Sequence, residues 1–431
     1  MKPIMNDKKT INSWALFDWA NSAYALVIST AIFPIYFTAN TPEIVNIGSF
    51  EFTNSSLYTF AVSFSFIIIA CMSPILSGIA DYSGRKKYFL KIFTIIGSIA
   101  CAALWYFDGA GTYWIGTIGF IIATVGFAGA LVFYNAYLPE IVTEDRYDSV
   151  SAKGYAYGYV GSVLLLVFIL YMISQYEMFG FPSEKTPIRI GFLLVGAWWL
   201  FFGLISFKGL PDDFKKEKQD NIIKKGFQEI KNVFGELKYR PNIKKFLASF
   251  FFYSAGVQTV IYVASIFAKD ELGFESTELI TIILLLQLVG IVGAFLFSYI
   301  SKVTNNKTSL IITIVIWTLI CIAAFFVVSK FQFYIIAAAV GMVMGGIQSM
   351  SRSTYSKLLD EDEDSTASYF SFYDVVYKIA VVLGTGSFAL VDYITRDMRY
   401  SILVLALYFV IGLILLLITK IEKSNPVTEL K

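Results

Sequence analysis

Asp18 and Asn21 stand three residues apart in WALFDWANSAYALVIST, residues 14–30. With the AIFPIYFTA that follows, this run is long and apolar enough to cross a bilayer. A carboxylate in hydrocarbon is costly unless it meets a cavity or a partner. On a helix, Asp18, Asn21, Ser22, Ala25, Ser29 and Tyr36 share one stripe roughly 100° wide. That stripe reads as the lining of a hydrated cavity, where Asp18 would bind a cationic group or carry a proton. It also reads as a helix-end charge that pairs with a neighbouring backbone or basic group. A second charged pair, Asp374 and Lys378, is spaced four apart and so shares a helix face. It is either a buried structural salt bridge or a substrate and coupling site. The chain contains no histidine, so any proton chemistry falls to carboxylates, Lys or Tyr.

These residues need a membrane scaffold. Of the 431 residues, 57% are hydrophobic and 15% charged; a soluble chain carries about 25% charged residues. The three cysteines, Cys71, Cys101 and Cys321, all fall in apolar runs, so neither a disulfide framework nor a metal site is expected. The basic residues sit in short loops rather than on one domain face, which argues against nucleic acid. The first ten residues show no cleavable signal pattern.

Apolar runs long enough to span lie near 14–39, 56–80, 88–107, 112–138, 154–174, 187–207, 243–268, 277–300, 308–329, 331–356, 367–391 and 400–420. The expected class is an all-α membrane protein of twelve transmembrane helices. Its halves would be 1–207 and 243–431, joined by a Lys-rich linker over 208–242. In the linker Ile222, Ile223, Phe227, Ile230, Val233, Phe234 and Leu237 recur at helical spacing, which predicts an amphipathic helix on the membrane surface. With the N-terminus inside, six bases fall outside (Lys185, Arg189, Lys269, Lys330, Arg396 and Arg399) and Lys378 lies within a span. The remaining 27 of the 34 Lys and Arg fall inside. Both termini and the linker are therefore expected to be cytoplasmic. SAKGYAY from Ser151 and TASYFSF from Thr366 hint at an internal repeat of the two halves.

Polar content recurs every third span. Spans one, four, seven and ten carry Asp18 and Asn21, Asn135 and Tyr137, Gln258 and Tyr262, and Gln348 and Arg352. Spans nine and twelve are almost wholly apolar. Polar helices should line a central cavity, and apolar ones should face lipid. Small residues such as Gly119, Gly126, Gly158, Gly161, Gly341 and Gly345 mark close helix contacts, and Pro34 predicts a kink in span one.

Between spans two and three lies SGIADYSGRKK, residues 77–87. It resembles the signature Gly-x-x-x-Asp-Arg-x-Gly-Arg-Arg of the major facilitator superfamily, with Asp81, Gly84, Arg85 and Lys86 at matching positions. Ser77 holds the place of the early Gly, and Tyr82 replaces the first base. WALFDWANSAYA, FYNAYLPEI, GYAYGYVGS and GGIQSMSRS together resemble the "unknown major facilitator" family, which includes the autophagy-related vacuolar effluxers of fungi, associated with amino-acid release. The resemblance implies a secondary transporter with spans one, four, seven and ten around the cavity. It also implies that Asp18, Asn21 and Tyr24 belong to the family signature, and that Asp81, Gly84, Arg85 and Lys86 form a cytoplasmic gate.

The expected function is secondary active transport of a small polar or zwitterionic solute, such as an amino acid or peptide, by rocker-switch alternating access. The mixed charge of Asp18, Arg352, Asp374 and Lys378 suits such a solute. No G-x-x-x-x-G-K-[ST] run is present, so the energy would come from a coupled ion, a proton first. A lipid or lipid-linked-sugar flippase on the same fold is the alternative. A non-transporting sensor would have lost the cavity's polar residues, and no nucleophile, base and oxyanion grouping points to an enzyme. The expected partners are the solute, the ion and the lipid bilayer. No cofactor is expected, and the chain would act as a monomer in a bacterial inner membrane.

Overall fold

The computed structural model describes residues 4–213, 222–359, 365–395 and 397–421. Linker residues 214–221, Arg396 and the tail from 422 lie outside the described residues.

The first helix, α1 (Lys8–Asn40), starts at Asp7, whose carboxylate accepts the backbone N–H and the hydroxyl of Thr10, both at 2.8 Å. Over Tyr24–Ile32 it widens into a π-helix, and Pro34 sits in the first turn of the α-helical stretch that follows. Proline lacks an N–H and its ring crowds the preceding turn. A widened helix relieves both, and the Thr30 hydroxyl donates to the Ala25 carbonyl at 2.9 Å. A hairpin of β1 (Ile44–Ile47) and β2 (Phe50–Thr53) follows, turning at Gly48 with φ +62°. It has no counterpart in the sequence reading, because strands of four residues are too short to show a period beside long apolar runs.

The longer helices that follow are α2 (Asn54–Ser83), α3 (Lys86–Ala103), α4 (Tyr113–Ala136), α5 (Tyr147–Ser174) and α6 (Lys185–Gly209). The linker holds α7 (Ile222–Leu237). Then come α8 (Pro241–Leu272), α9 (Ser276–Val303), α10 (Asn306–Phe325), α11 (Lys330–Lys357), α12 (Thr366–Thr395) and α13 (Met398–Leu417). Local chemistry sets several of these starts. Ser329 and Gln332 form a capping box on α11, Asn305 accepts from the Thr308 N–H at 2.8 Å on α10, and Asp397 accepts from the Arg399 N–H on α13.

Among the described residues, eleven helices are long and apolar enough to cross a membrane, and each coincides with an expected span. The remaining expected span, 367–391, coincides with α12, a 30-residue helix whose apolar run is interrupted by Asp374 and Lys378; it is not among the eleven. In their apolar windows the polar spans α1, α4, α8 and α11 have 56%, 56%, 61% and 61% of residues buried. The most open spans are α2 and α9, at 22% each, rather than spans nine and twelve, at 39% each. Apolar composition permits contact with lipid but does not choose which apolar helix is outermost.

The chain divides into two compact units. The first comprises 12–135 with 157–230; its core holds Trp14, Trp199 and Tyr24, and Phe33 stacks on Phe120 at 5.1 Å. The second comprises the N-terminal residues up to Ile11, Ala136–Ala156 and the chain from Lys231. Its core holds Tyr253 and Tyr355, and Trp317 stacks on Phe409 at 5.3 Å. Glycines form the tightest crossings within each unit. In the first, a Cβ on Gly126 would strike the backbone of Gly97, and one on Gly158 would strike Ser22. In the second, α9 and α11 meet backbone to backbone: a Cβ on Gly345 would strike the Gly290 carbonyl, and one on Gly293 the Met342 carbonyl.

This seam sets a test. Gly345→Ala is expected to destabilise the folded protein by about 1–3 kcal/mol, seen as a lowered melting temperature in detergent. Gly235→Ala, where a Cβ meets open space, should leave melting unchanged or raise it.

Candidate functional site

In the first unit, Asp18, Asn21 and Tyr24 are buried at 5%, 1% and 0% exposure. They occupy three successive turns of α1, and Tyr24 opens the π segment. The Asp18 carboxylate accepts the Tyr134 hydroxyl at 2.7 Å, and the Tyr134 ring stacks on Trp14 at 4.6 Å. The Trp14 indole N–H in turn donates to the Tyr134 carbonyl at 3.0 Å. Tyr24 and Thr124 share a hydroxyl–hydroxyl bond of 2.7 Å. These bonds fasten α1 to α4. Tyr134 lies inside the quoted FYNAYLPEI run, next to half-buried Asn135, but only packing shows that it reaches Asp18. The Asn21 side-chain oxygen is buried with no hydrogen-bond partner among the described residues.

The residues expected at the gate also lie in this unit. Gly84 turns the chain with φ +64°, and its N–H donates to the Asp81 carbonyl at 3.3 Å. The Asp81 carboxylate is 3.7 Å from the Lys86 ammonium, and Arg85 is exposed. Two acids after α6, absent from the sequence reading, complete the loop. Asp213 accepts the backbone N–H groups of Lys87 at 2.6 Å and Tyr88 at 2.9 Å, which caps α3 from outside its own sequence. Burial raises the Asp213 pKa, while those two N–H groups act the other way. Asp212 accepts from Lys87 Nζ at 2.7 Å, which lowers its pKa. From α7, Lys225 lies over the Tyr82 ring at 5.1 Å, and Gly226 meets Gly78 closely enough that a Cβ would clash.

In the second unit, Asp374 and Lys378 form the expected pair, with Nζ donating to Oδ1 at 2.5 Å; both residues are buried. The other carboxylate oxygen, Oδ2, is buried with no hydrogen-bond partner among the described residues. Gln258 and Tyr137 are buried, Gln348 is half-buried and Tyr262 is 38% exposed. Arg352 is 2% exposed. Its Nε donates to Ser151 Oγ at 3.0 Å and its Nη2 to the Ser151 carbonyl at 2.8 Å, and its guanidinium lies over the Tyr155 ring at 4.3 Å. The SAKGYAY run thus meets the GGIQSMSRS run. Tyr253 of α8 and Ser351 of α11 share a hydroxyl bond of 2.8 Å, so α8 and α11 are joined as α1 and α4 are.

Next to Arg352 lies a polar cluster that the sequence reading did not single out. Asp148 accepts from Asn306 Nδ2 at 2.7 Å, from Ser301 Oγ at 2.8 Å and from Lys357 Nζ at 3.1 Å. Lys357 also donates to Asn306 Oδ1 at 2.7 Å. The cluster binds the start of α5 to α9, α10 and α11. Its members stand up to 209 residues apart in sequence, with no local pattern to announce them. This unit also holds a wholly apolar cavity lined by Val260, Phe267, Leu286, Ile320, Phe333 and Leu405 among others.

Long apolar helices with charges paired in their interiors mark a membrane protein, and the fold is that of the major facilitator superfamily. The fucose transporter FucP in its outward conformation superposes with a TM-score of 0.70, at 14% identity, covering 96% of this chain and 100% of FucP. The proton:xylose symporter XylE gives 0.71, at 14% identity, covering 94% of each chain. The chain belongs to the "Vacuole effluxer Atg22 like" family, whose model matches residues 6–428. It is 30% identical to the MFS-type transporter YxiO of Bacillus subtilis, over 98% of this chain and 97% of YxiO. It is 24% identical to autophagy-related protein 22 of Kluyveromyces lactis, over 83% of this chain and 78% of that protein. It is accordingly a multi-pass integral membrane protein.

The buried pair on α12 can be tested directly. Lys378→Met should leave the Asp374 carboxylate uncompensated and cost about 3–5 kcal/mol. The double swap Asp374→Lys with Lys378→Asp should restore most of the lost melting temperature. A swap no more stable than the single variant would show that surroundings beyond the pair fix its polarity.

Proposed function

We propose that this transporter is a secondary active carrier of a small polar or zwitterionic solute, an amino acid or short peptide, working by rocker-switch alternating access with a coupled proton. The observation that carries the reading is the buried Asp374–Lys378 pair with one carboxylate oxygen unbonded. A buried acceptor without a donor is rare in a finished protein interior. Beside a lysine, it offers a zwitterion an acceptor for its ammonium and a donor for its carboxylate. The Asn21 amide oxygen, one turn from Asp18, is likewise buried without a hydrogen-bond partner among the described residues. The effluxer name of the family supports the solute part of the reading, and the likeness in fold to XylE, a proton symporter, supports the ion part. In this reading α12 also crosses the membrane and completes twelve spans, the halves 1–207 and 243–431 are joined by the 208–242 linker, and both termini are cytoplasmic. The protein works as a monomer in a bacterial inner membrane.

One feature favours a second reading, a lipid or lipid-linked-sugar flippase: the apolar cavity of the second unit suits an acyl chain. A thermal-shift screen of amino acids and peptides, followed by flux in proteoliposomes, separates the two when a fluorescent lipid is followed in the same vesicles.

Asp18 is the proposed proton carrier, with Tyr134 as its hydrogen-bonding partner. Asp18→Asn keeps the shape and removes the charge. Such a protein should lose accumulation driven by a pH gradient while keeping counterflow exchange. Undiminished gradient-driven accumulation by a well-folded Asp18→Asn protein would remove Asp18 from the mechanism.

The Asp148–Asn306–Lys357 cluster is the proposed latch of the cytoplasmic side. Alternating access requires the start of α5 to part from α10 and α11, and these bonds must break for that to happen. Asp148→Asn is expected to speed maleimide labelling of a single cysteine at Ala152, which is buried in the latched structure, by about tenfold, the equivalent of roughly 1.4 kcal/mol. Labelling at the parent rate, in a variant with lowered melting temperature, would make the cluster purely structural.

A further inference from the structure

The linker helix α7 carries a surface that transport does not explain. Ile223, Phe227 and Phe234 are 67%, 50% and 67% exposed. At about 100° per residue they fall within about 40° of one another, so they form one ridge. Val233 and Leu237, buried at 1% and 8%, border the ridge on one side. Lys224 and Lys231 border it on the other, in line with Lys238 in the turn that follows, and all three are exposed. The acids keep away: Glu229 and Glu236 lie on the far flank, and Glu236 accepts the Tyr369 hydroxyl at 2.8 Å. A soluble helix turns such aromatic residues inward. Here the inward face is already supplied by Val233 and Leu237, and the ridge stays largely outside even though Phe234 has the Phe372 ring 6.0 Å away.

We infer that this face of α7 binds the anionic lipid surface of the membrane that holds the protein, with Ile223, Phe227 and Phe234 at the boundary of headgroups and acyl chains and Lys224, Lys231 and Lys238 at the phosphates. Two arguments select this occupant. α7 is tethered on both sides to membrane helices, α6 ending at Gly209 and α8 beginning at Pro241, so it stays within reach of the bilayer surface. The charge beside the apolar ridge is of one sign, which a zwitterionic surface does not need and an anionic one attracts, by roughly fivefold per lysine. An apolar ridge alone would bind any bilayer, and the lysine border is what makes the recognition specific for anionic headgroups.

The experiment is hydrogen exchange of residues 222–237 in the full-length protein, one copy per nanodisc. Discs of phosphatidylcholine alone are compared with discs containing one-third phosphatidylglycerol. Exchange should be about tenfold slower or more in the anionic discs, and the difference should shrink as salt rises. The variant Lys224→Gln, Lys231→Gln, Lys238→Gln should exchange at the phosphatidylcholine rate in both discs. Equal exchange of the parent protein in both lipids, or a lipid difference that survives the triple substitution, overturns the inference. Slowing that appears only with two copies per disc overturns it in favour of a contact between copies of the chain.

Discussion

A polar atom inside a bilayer has no water to fall back on, so each one must find its partner within the protein. The interior of this molecule follows from that constraint. Hydroxyls inside the spans bond back to carbonyls of their own helix, as Thr94 does to Leu90 at 2.8 Å, Thr124 to Phe120 at 2.8 Å and Thr259 to Ala255 at 2.7 Å. Charges need a charged or polar side chain instead. Asp18 takes a hydroxyl from another helix, Lys378 takes the carboxylate one turn away, and Arg352 takes a serine and an aromatic face. Among the described residues ten buried side-chain atoms have no partner; eight are hydroxyls or indole N–H groups, and the two that belong to an amide or a carboxylate are the oxygens of Asn21 and Asp374. A strong acceptor left open in this way marks a place for water, an ion or a solute.

Two kinds of contact divide the mechanical work. Glycine crossings such as Gly345 on Gly290 are close backbone contacts with no side chain to rearrange, and they cannot loosen without losing dispersion and packing together. They suit helices that move as one body. The cluster of Asp148, Asn306 and Lys357 is made of long or short polar side chains whose bonds water can replace. Under the proposed alternating access, the first kind would hold a moving body intact and the second would open and close.

The loop after α2 shows how a short motif depends on a distant cap. Gly84 supplies the left-handed turn and Lys86 meets Asp81, but the start of α3 is held by Asp213, more than a hundred residues later. Loop and post-α6 segment therefore form one structural object, on which α7 rests through Gly226 and Lys225.

Helix formation in a bilayer is a local matter, and the sequence by itself determined its consequences here. A run of about twenty apolar residues must satisfy its backbone within itself, so eleven spans could be located by counting. Helical spacing placed Asp374 against Lys378 for the same reason, because partners four apart are set by the helix alone. The DWANSAY and GGIQSMSRS runs were legible as family marks. Tertiary structure decided everything that depends on which helices meet. It gave Asp18 its Tyr134, 116 residues away, and Asp148 its Asn306 and Lys357, at 158 and 209. It made α2 and α9 the most open spans, although α10 and α13 are as apolar. No periodicity encodes such choices, because they arise from the fit of whole helix surfaces, and in a membrane that fit is governed by packing and paired polar groups rather than by hydrophobicity.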